Sequence, residues 1–275
     1  MLSKEYSDLI EVAKKLSSQY SEASPFPHIV IDNFFKSEFI ELILNEFPDL
    51  SKIKVKSDFD FQAARKFAQL SGDDLHGTNM KTFLRYCNSS SFIDFLQILT
   101  SIKEPLIPDP HFVGGGIHEI KRGGFLKIHC DFSKHPENDL DRRINLLFYL
   151  NKNWEKDYGG EIEFWDKDMK NCVKKIDPIF NRLVIFNTND FTYHGHPIPL
   201  NCPQDRSRKS LALYYFSNGR PTNELRPQNE NPNTIYRHRP GENFMYKPKY
   251  IFRELAKDFI PPFFQRNLKT IFRNK

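Results

Sequence analysis

An imidazole and a carboxylate stand two residues apart in the run GGFLKIHCDFS, at His129 and Asp131. If this run is a strand, both side chains project from one face, because side chains alternate along a strand with a period of two. The pair would then supply two corners of a metal site, which a third protein ligand would complete. A histidine near an aspartate is common on protein surfaces, so the spacing needs support from elsewhere in the chain.

Two further histidines follow the strongly β-like run RLVIFNT, at His194 and His196 in TYHGHP. The end of that strand could meet the first pair and complete an arrangement of two imidazoles and one carboxylate, the ligand set of non-haem iron(II) sites. In an extended segment the two imidazoles share one face. The residues by themselves therefore leave the third ligand open between His194 and His196.

A guanidinium and a hydroxyl are also two apart, at Arg208 and Ser210 in RSRKSLALYYF. A guanidinium pointing into a β sandwich is costly to bury unless it meets an anion. A dicarboxylate cosubstrate would supply one through bidentate pairing with Arg208, and the Ser210 hydroxyl could add a donor. The order of these pieces between residues 129 and 210 is much more specific than any single piece.

These residues lie in a region whose sequence pattern is typical of β-strands. Beyond Pro110, seven short apolar or alternating runs are separated by Gly, Pro, Asn and Asp, which predicts an all-β sandwich or barrel. Before it, a strand is predicted over His28–Ile31, and the polar stretch from Lys52 to Asn79 is interpreted as a long excursion or lid. Helices are predicted over the first 20 residues (ending near Ser17 and Ser18), in KSEFIELILNEFPDL (with Ser37 as N-cap) and in SSFIDFLQILTSI (with Ser90 or Ser91 near the cap).

The composition is that of an ordinary globular chain. Of its 275 residues, 39% are hydrophobic and 27% charged, and no apolar run approaches the length of a membrane span. The N-terminal MLSKEYSDLIEVAKKLSS lacks the apolar core of a signal peptide, so we expect a cytoplasmic protein. The four cysteines lie far apart without a CxxC pair, which argues against a structural zinc site or a disulfide framework.

The positive charge is concentrated at the end of the chain. Residues 236–275 carry +7 and the first 235 residues carry −2, so we expect no nucleic-acid partner for the main domain. Apolar residues at helical spacing among these cations suggest a basic helical extension. Such a helix can contact an anionic membrane or an acidic partner, although more often it packs on its own domain.

The motifs resemble those of the Fe(II)- and 2-oxoglutarate-dependent oxygenases of the prolyl-4-hydroxylase-like group. The resemblance runs from about residue 114 to 217 through GGFLKIHCDF, YLNKNW followed by GGEIEFW, IDPIFNRLVIFNT, TYHGHP and RKSLALYYF. It implies iron ligation by His129, Asp131 and His194. It also implies that Arg208 and Tyr149 bind the distal carboxylate of the cosubstrate. The stretch from His194 to Arg208 is longer than in compact members of the group.

The resemblance implies an α+β, mainly β fold: a double-stranded β-helix (jelly-roll) core, N-terminal supporting helices and a basic C-terminal helical extension. We expect an oxygenase domain over residues 1–219 (a helical region over 1–110 and the core over about 111–219) and a linker with the basic extension over 220–275.

The implied reaction is hydroxylation of a C–H bond with release of succinate and CO2. It requires Fe(II), 2-oxoglutarate and O2, with ascorbate as a candidate stimulant. The substrate stays open among a protein, an amino acid, a sugar and a lipid-linked intermediate. The alternatives are a metal-dependent jelly-roll enzyme without 2-oxoglutarate, and a catalytically silent jelly-roll domain that binds a glycan, a peptide or a membrane partner.

Overall fold

The structure is a computed structural model that describes residues 1–52, 57–61, 64–69, 77–225 and 234–242. Most of the predicted basic extension, residues 243–275, lies outside these ranges. No helix within the described ranges is long and apolar enough to cross a membrane.

Four α-helices precede the main run of strands: α1 (Leu9–Ser21), α2 (Ser37–Glu46), α3 (Thr78–Cys87) and α4 (Ser90–Thr100). Short 3-10 turns lie at Lys4–Tyr6, Leu50–Lys52, Lys156–Tyr158 and Thr222–Glu224. Helix α1 extends beyond its predicted end, and α3 was not predicted. The predicted cap of α2 is wrong by one residue, because Ser37 is already helical and the cap is Lys36. In α4 the cap is Ser89, next to the predicted Ser90.

The strands are β1 (His28–Asp32), β2 (Ser57–Phe61), β3 (Ala64–Gln69), β4 (Ile107–Pro108), β5 (Gly116–Lys121), β6 (Phe125–Cys130), β7 (Asp141–Tyr149), β8 (Ile162–Trp165), β9 (Cys172–Ile176), β10 (Arg182–Asn187), β11 (His194–His196), β12 (Ser207–Ser217) and β13 (Ile235–Tyr236). All pairings are antiparallel. Along the sheet the order is β1-β10-β7-β12-β5-β3-β6-β11-β8-β9. The remaining three are attached at the side, β2 to β3, β4 to β12 and β13 to β6.

The stretch interpreted as an excursion contributes to this sheet. Strand β3 pairs with both β5 and β6, and β2 pairs with β3. The interpretation is therefore wrong for residues 57–61 and 64–69, whose backbones lie in the sheet. Polar character without regular periodicity hid these strands from the sequence.

The central strands have one face for the helices and one for the site. Leu146 and Phe148 of β7 join the large core cluster that includes residues of α1, α3 and α4. Tyr149 belongs to a second cluster on the other side, with Phe164 and Phe186. Alternation along the strand produces this division, since neighbouring residues point to opposite faces. The predicted mainly β core with supporting N-terminal helices is confirmed.

Candidate metal and cosubstrate site

Three potential metal ligands, His129, Asp131 and His194, lie together. Their ligand atoms are all within 4.8 Å of one another. Asp131 Oδ1 lies 3.5 Å from His129 Nε2, and Asp131 Oδ2 lies 3.2 Å from His194 Nε2. Two imidazoles and a carboxylate at this spacing match the donor set of a divalent iron site.

Strand pairing brings the ligands together. His129 near the end of β6 is directly opposite His194 at the start of β11, and directly paired residues project from the same face of a sheet. The register then shifts, so that His196 is opposite Leu126. His196 is buried but lies outside the ligand cluster. Of the two histidines that the sequence left open, the structure places His194 beside the pair.

The two imidazoles are oriented by backbone carbonyls. Nδ1 of His129 lies 2.8 Å from the carbonyl oxygen of Lys127, and Nδ1 of His194 lies 3.0 Å from that of Thr192. A carbonyl oxygen can only accept a hydrogen bond, so each Nδ1 carries the proton and donates it. Each Nε2 faces Asp131, and in the neutral ring it is the nitrogen left to bind a metal.

The carboxylate of Asp131 is held in its charged form. Arg142 Nη2 lies 3.1 Å from Asp131 Oδ2, and Asn145 Nδ2 donates to the same oxygen at 2.6 Å. Burial alone would raise the pKa of Asp131. The positive charge of Arg142, with the nearby His194 and His129, outweighs burial and keeps that pKa well below its usual range.

Burial lowers the pKa of a histidine, whereas it raises that of an aspartate. Desolvation, followed by the neighbouring His194, lowers the pKa of His129 below its ordinary value of 6.5. The imidazole of His129 is therefore neutral at pH 7. Together with a charged Asp131, this is the protonation state in which the residues can hold a metal.

Two residues predicted to bind the distal carboxylate, Arg208 and Tyr149, lie on the neighbouring strands β12 and β7. They are called the anion anchor below. Arg208 of β12 is 5% exposed, and its Nε donates to the carbonyl of Gly160 at 2.8 Å. Its Nη2 donates to the Tyr149 hydroxyl at 3.1 Å. Within the described residues, no carboxylate lies within 4.0 Å of this guanidinium. A buried cation whose hydrogen-bond partners among the described residues are neutral can still pair with an anion.

Ser210 lies beside this anchor. It is directly opposite Tyr149 in the pairing of β12 with β7, so both side chains project from one face. The residue is 2% exposed, and its hydroxyl lies on the face that carries Tyr149 and Arg208. It can therefore donate to an anion that reaches Arg208, as predicted from the two-residue spacing.

Strand β7 connects the two halves of the site. Asn145 contacts Asp131, and Tyr149 contacts Arg208. Asn145 and Tyr149 lie four residues apart on one face of β7. Their Cα atoms are thus roughly 13 Å apart. The ligand cluster and the anion anchor occupy the same face of the sheet, which fits a metal held beside a dicarboxylate. This donor set is the one that iron(II) with 2-oxoglutarate requires.

Sequence reasoning missed Arg142 and Gly160. The sequence signal for Arg142 was a charged residue inside the otherwise apolar run RRINLLFYLN. At Gly160, φ is +84°, and an added Cβ would lie 2.7 Å from Leu200 Cδ2 and 2.9 Å from Arg208 Cδ. A glycine is needed there both for the left-handed backbone and for the approach of the arginine. In the sequence, the pair Gly159-Gly160 by itself predicts only a turn.

Comparisons with known proteins agree with this site. Residues 115–216 match the family model described as the 2OG-Fe(II) oxygenase superfamily. Mouse prolyl 3-hydroxylase OGFOD1 is 26% identical over 204 residues, which cover 71% of this chain and 33% of that protein. Mouse prolyl hydroxylase EGLN3 is 31% identical over 83 residues, 30% of this chain and 32% of that protein. The chain thus spans about a third of the length of these curated relatives.

Solved structures share the fold. A prolyl hydroxylase from Trichoplax adhaerens, in complex with a peptide fragment of hypoxia inducible factor, superposes with a TM-score of 0.57 at 22% identity, covering 79% of this chain and 94% of that one. A Pseudomonas putida prolyl-4-hydroxylase gives 0.54 at 15% identity, covering 76% and 100%. The predicted double-stranded β-helix core is therefore confirmed. Residues 115–216 thus match the 2OG-Fe(II) oxygenase superfamily, and the chain is similar in sequence and fold to prolyl hydroxylases.

Proposed function

We propose that this chain is an Fe(II)- and 2-oxoglutarate-dependent dioxygenase that hydroxylates a C–H bond of a prolyl residue in a polypeptide. The observation that carries the reaction type is the combination of a neutral-histidine, charged-aspartate ligand cluster with a buried arginine that has no carboxylate partner among the described residues. The three metal ligands without Arg208 would indicate only a metal enzyme. The buried arginine indicates in addition that the enzyme binds a dicarboxylate cosubstrate.

In this proposal His129, Asp131 and His194 hold the iron through Nε2, a carboxylate oxygen and Nε2. Arg208 binds the distal carboxylate of 2-oxoglutarate, helped by the hydroxyls of Tyr149 and Ser210. When bound, iron and 2-oxoglutarate supply the oxidising chemistry, in which O2 and 2-oxoglutarate convert C–H to C–OH and yield succinate and CO2. The chain would fix the geometry of these groups through side chains that are largely buried.

The polypeptide substrate is supported by the relatives. Both mouse proteins are named prolyl hydroxylases, and the Trichoplax enzyme is solved with a peptide fragment. The fold and the site chemistry are compatible with this class of substrate. A free amino acid, a sugar and a lipid-linked intermediate are the competing outcomes of the test.

Isotope labelling tests the proposal. The full chain is loaded with Fe(II) and 2-oxoglutarate and exposed to ¹⁸O2 with a library of short proline-containing peptides. We expect one labelled oxygen in succinate and one in a proline-containing product. Peptides with alanine in place of each proline are the matched control and should gain no label. Succinate without labelled peptide would contradict the polypeptide substrate, and absence of labelled succinate would contradict the reaction.

A further inference from the structure

Residues 197–206 form a loop that connects β11 to β12. Within this β11–β12 loop, Leu200 and Cys202 are 3% and 0% exposed, whereas Ile198 is 52% exposed. The two buried residues form an apolar cluster with Ile120 of β5. The loop is therefore packed into the protein at its middle, and only part of it faces solvent.

Backbone hydrogen bonds hold the loop at Leu200. Its amide donates to the carbonyl of Gly124 at 3.0 Å, and the amide of Gly123 donates to the carbonyl of Leu200 at 2.8 Å. The amide of the next residue, Asn201, donates to the carbonyl of Tyr158 at 3.0 Å. Because both polar groups of the Leu200 backbone are bonded, the position from which its side chain projects is fixed.

Two observations place the apolar cluster beside the aliphatic stem of Arg208. Ile120 is directly opposite Arg208 in the pairing of β5 with β12, so both side chains project from one face. Leu200 Cδ2 lies 2.7 Å, and Arg208 Cδ lies 2.9 Å, from the position that a Cβ would take at Gly160. Both carbons lie close to this one point, so the leucine and the stem of the arginine are neighbours.

Polar and apolar contacts thus fix different parts of Arg208. Its Nε donates to the carbonyl of Gly160 and its Nη2 donates to the Tyr149 hydroxyl, which orients the guanidinium. The buried leucine occupies the space beside the stem, and a close-packed neighbour limits how far a side chain can shift. Leu200 therefore helps to set the distance between the guanidinium and the metal ligands, which a bound dicarboxylate must span.

We propose that Leu200 is a positioning residue for Arg208 and sets the length of the dicarboxylate that the site selects, an inference that rests on the proposed function. The leucine holds the arginine at the distance that suits 2-oxoglutarate. Without this side chain, the stem of Arg208 can withdraw into the vacated space. The acid that is one methylene longer, 2-oxoadipate, then gains relative to 2-oxoglutarate. A packed site discriminates one methylene by about 10- to 200-fold.

Ligand titration tests the selectivity without turnover. Anaerobic calorimetry on the full chain loaded with Mn²⁺ measures the dissociation constants of 2-oxoglutarate and 2-oxoadipate. We expect the wild-type chain to prefer 2-oxoglutarate by about tenfold or more, and Leu200→Ala to reduce this preference by about fivefold. The affinity for Mn²⁺ should stay within twofold. Leu200→Met, which nearly conserves the side-chain volume, should restore most of the preference.

Ile198→Ala is the matched control, because it removes an exposed apolar side chain from the same loop. It should keep the wild-type preference. If Leu200→Ala weakened the binding of both acids by the same factor, the leucine would not set the length and the inference would be overturned. A wild-type chain that binds no 2-oxoglutarate would count against the proposed function instead.

Denaturation of the metal-free chain tests the contact between Leu200 and Arg208 without any ligand. The changes in the free energy of unfolding of Leu200→Ala and Arg208→Met should not add in the double variant, because residues in contact are coupled. Those of Ile198→Ala and Arg208→Met should add. Additive changes for both pairs would overturn the positioning role. This measurement is independent of 2-oxoglutarate binding, so the two failures are distinguishable.

Discussion

The guanidinium of Arg142 lies 3.1 Å from Asp131 Oδ2 while it is stacked between the rings of Tyr214 and Phe132, at 3.4 Å and 4.3 Å from their centroids. It is 1% exposed and also donates to Asn145 Oδ1. A buried cation thus touches one oxygen of the carboxylate that the site offers to a metal. It fixes the direction in which Asp131 points.

Replacement of Arg142 should therefore weaken metal binding. We expect Arg142→Lys to lower Mn²⁺ affinity by about tenfold and Arg142→Met by up to about 100-fold, because Asp131 loses its counter-charge and its orientation. Anaerobic calorimetric titration measures both values. Arg143→Lys is the matched control: Arg143 is the next residue and equally buried, but it pairs with Glu104 and Glu224. Equal losses in Arg142→Lys and Arg143→Lys would contradict the role given to Arg142.

Substitutions in the anion anchor should weaken 2-oxoglutarate binding without changing the affinity for the metal. Removal of the charged donors in Arg208→Ala should raise the dissociation constant of 2-oxoglutarate by about 100-fold, and Tyr149→Phe should raise it by about tenfold. Mn²⁺ affinity measured without 2-oxoglutarate should stay within twofold of the wild-type value. If Arg208→Ala bound 2-oxoglutarate normally, this arginine would not be the anchor.

The adjacent glycines Gly159 and Gly160 offer a paired test of the packing beneath Arg208. Both have positive φ, +69° and +84°. An added Cβ at Gly159 meets only Glu161 Oε2 at 4.0 Å, whereas one at Gly160 meets Leu200 and Arg208. Backbone strain should cost each alanine variant about 1 kcal/mol of unfolding free energy.

Only Gly160→Ala should also weaken 2-oxoglutarate binding, by displacing the arginine. Chemical denaturation and cosubstrate titration separate the two effects. Equal 2-oxoglutarate affinities in the two variants would count against a specific contact between Gly160 and Arg208.

Metal affinity should decrease as the pH is lowered. The pKa of His129 is lowered by burial, so its imidazole is neutral above 6.5 and protons compete with the metal only at lower pH. We expect Mn²⁺ affinity to change little between about pH 7 and 8 and to fall steadily below about pH 6.5.

The lowered pKa of His129 also affects the stability of the metal-free chain. Because the folded pKa of His129 lies below the unfolded one, this group destabilises the fold progressively as pH falls from 6.5 through the folded pKa. Denaturation of the metal-free chain at a series of pH values, compared with His129→Gln, measures this contribution. A wild-type chain that lost no more stability than His129→Gln over this range would contradict it.

Most of the site was accessible from residue spacing. The two-residue interval of Arg208 with Ser210 lies within β12, and that of His129 with Asp131 runs across the end of β6. Both pairs are predictable because side-chain alternation is a local property. The choice between His194 and His196 is not local. It depends on the register of β11 against β6, which shifts between these two histidines, and spacing contains no information about such a shift.

The role of Arg142 could not be predicted for the same reason. Strict alternation along β7 puts Arg142 on the helix side with Leu146, and Arg143 on the site side with Asn145. An irregularity where β12 shifts between Tyr215 and Phe216 reverses this, so that Arg142 reaches Asp131. A bulge of this kind re-aims a side chain and leaves no clear sequence signal. The pairing of β13 with β6 is likewise a long-range contact.

One site is expected to bind a metal and 2-oxoglutarate together. The most direct measurement is an anaerobic titration of the full chain with Fe(II) and 2-oxoglutarate, followed by visible absorption. We predict a weak charge-transfer band that appears only when both are present, is lost in Asp131→Ala, and requires much more 2-oxoglutarate in Arg208→Ala. A wild-type chain that shows no band, or a band that Asp131→Ala retains, would rule out a shared site for the metal and 2-oxoglutarate.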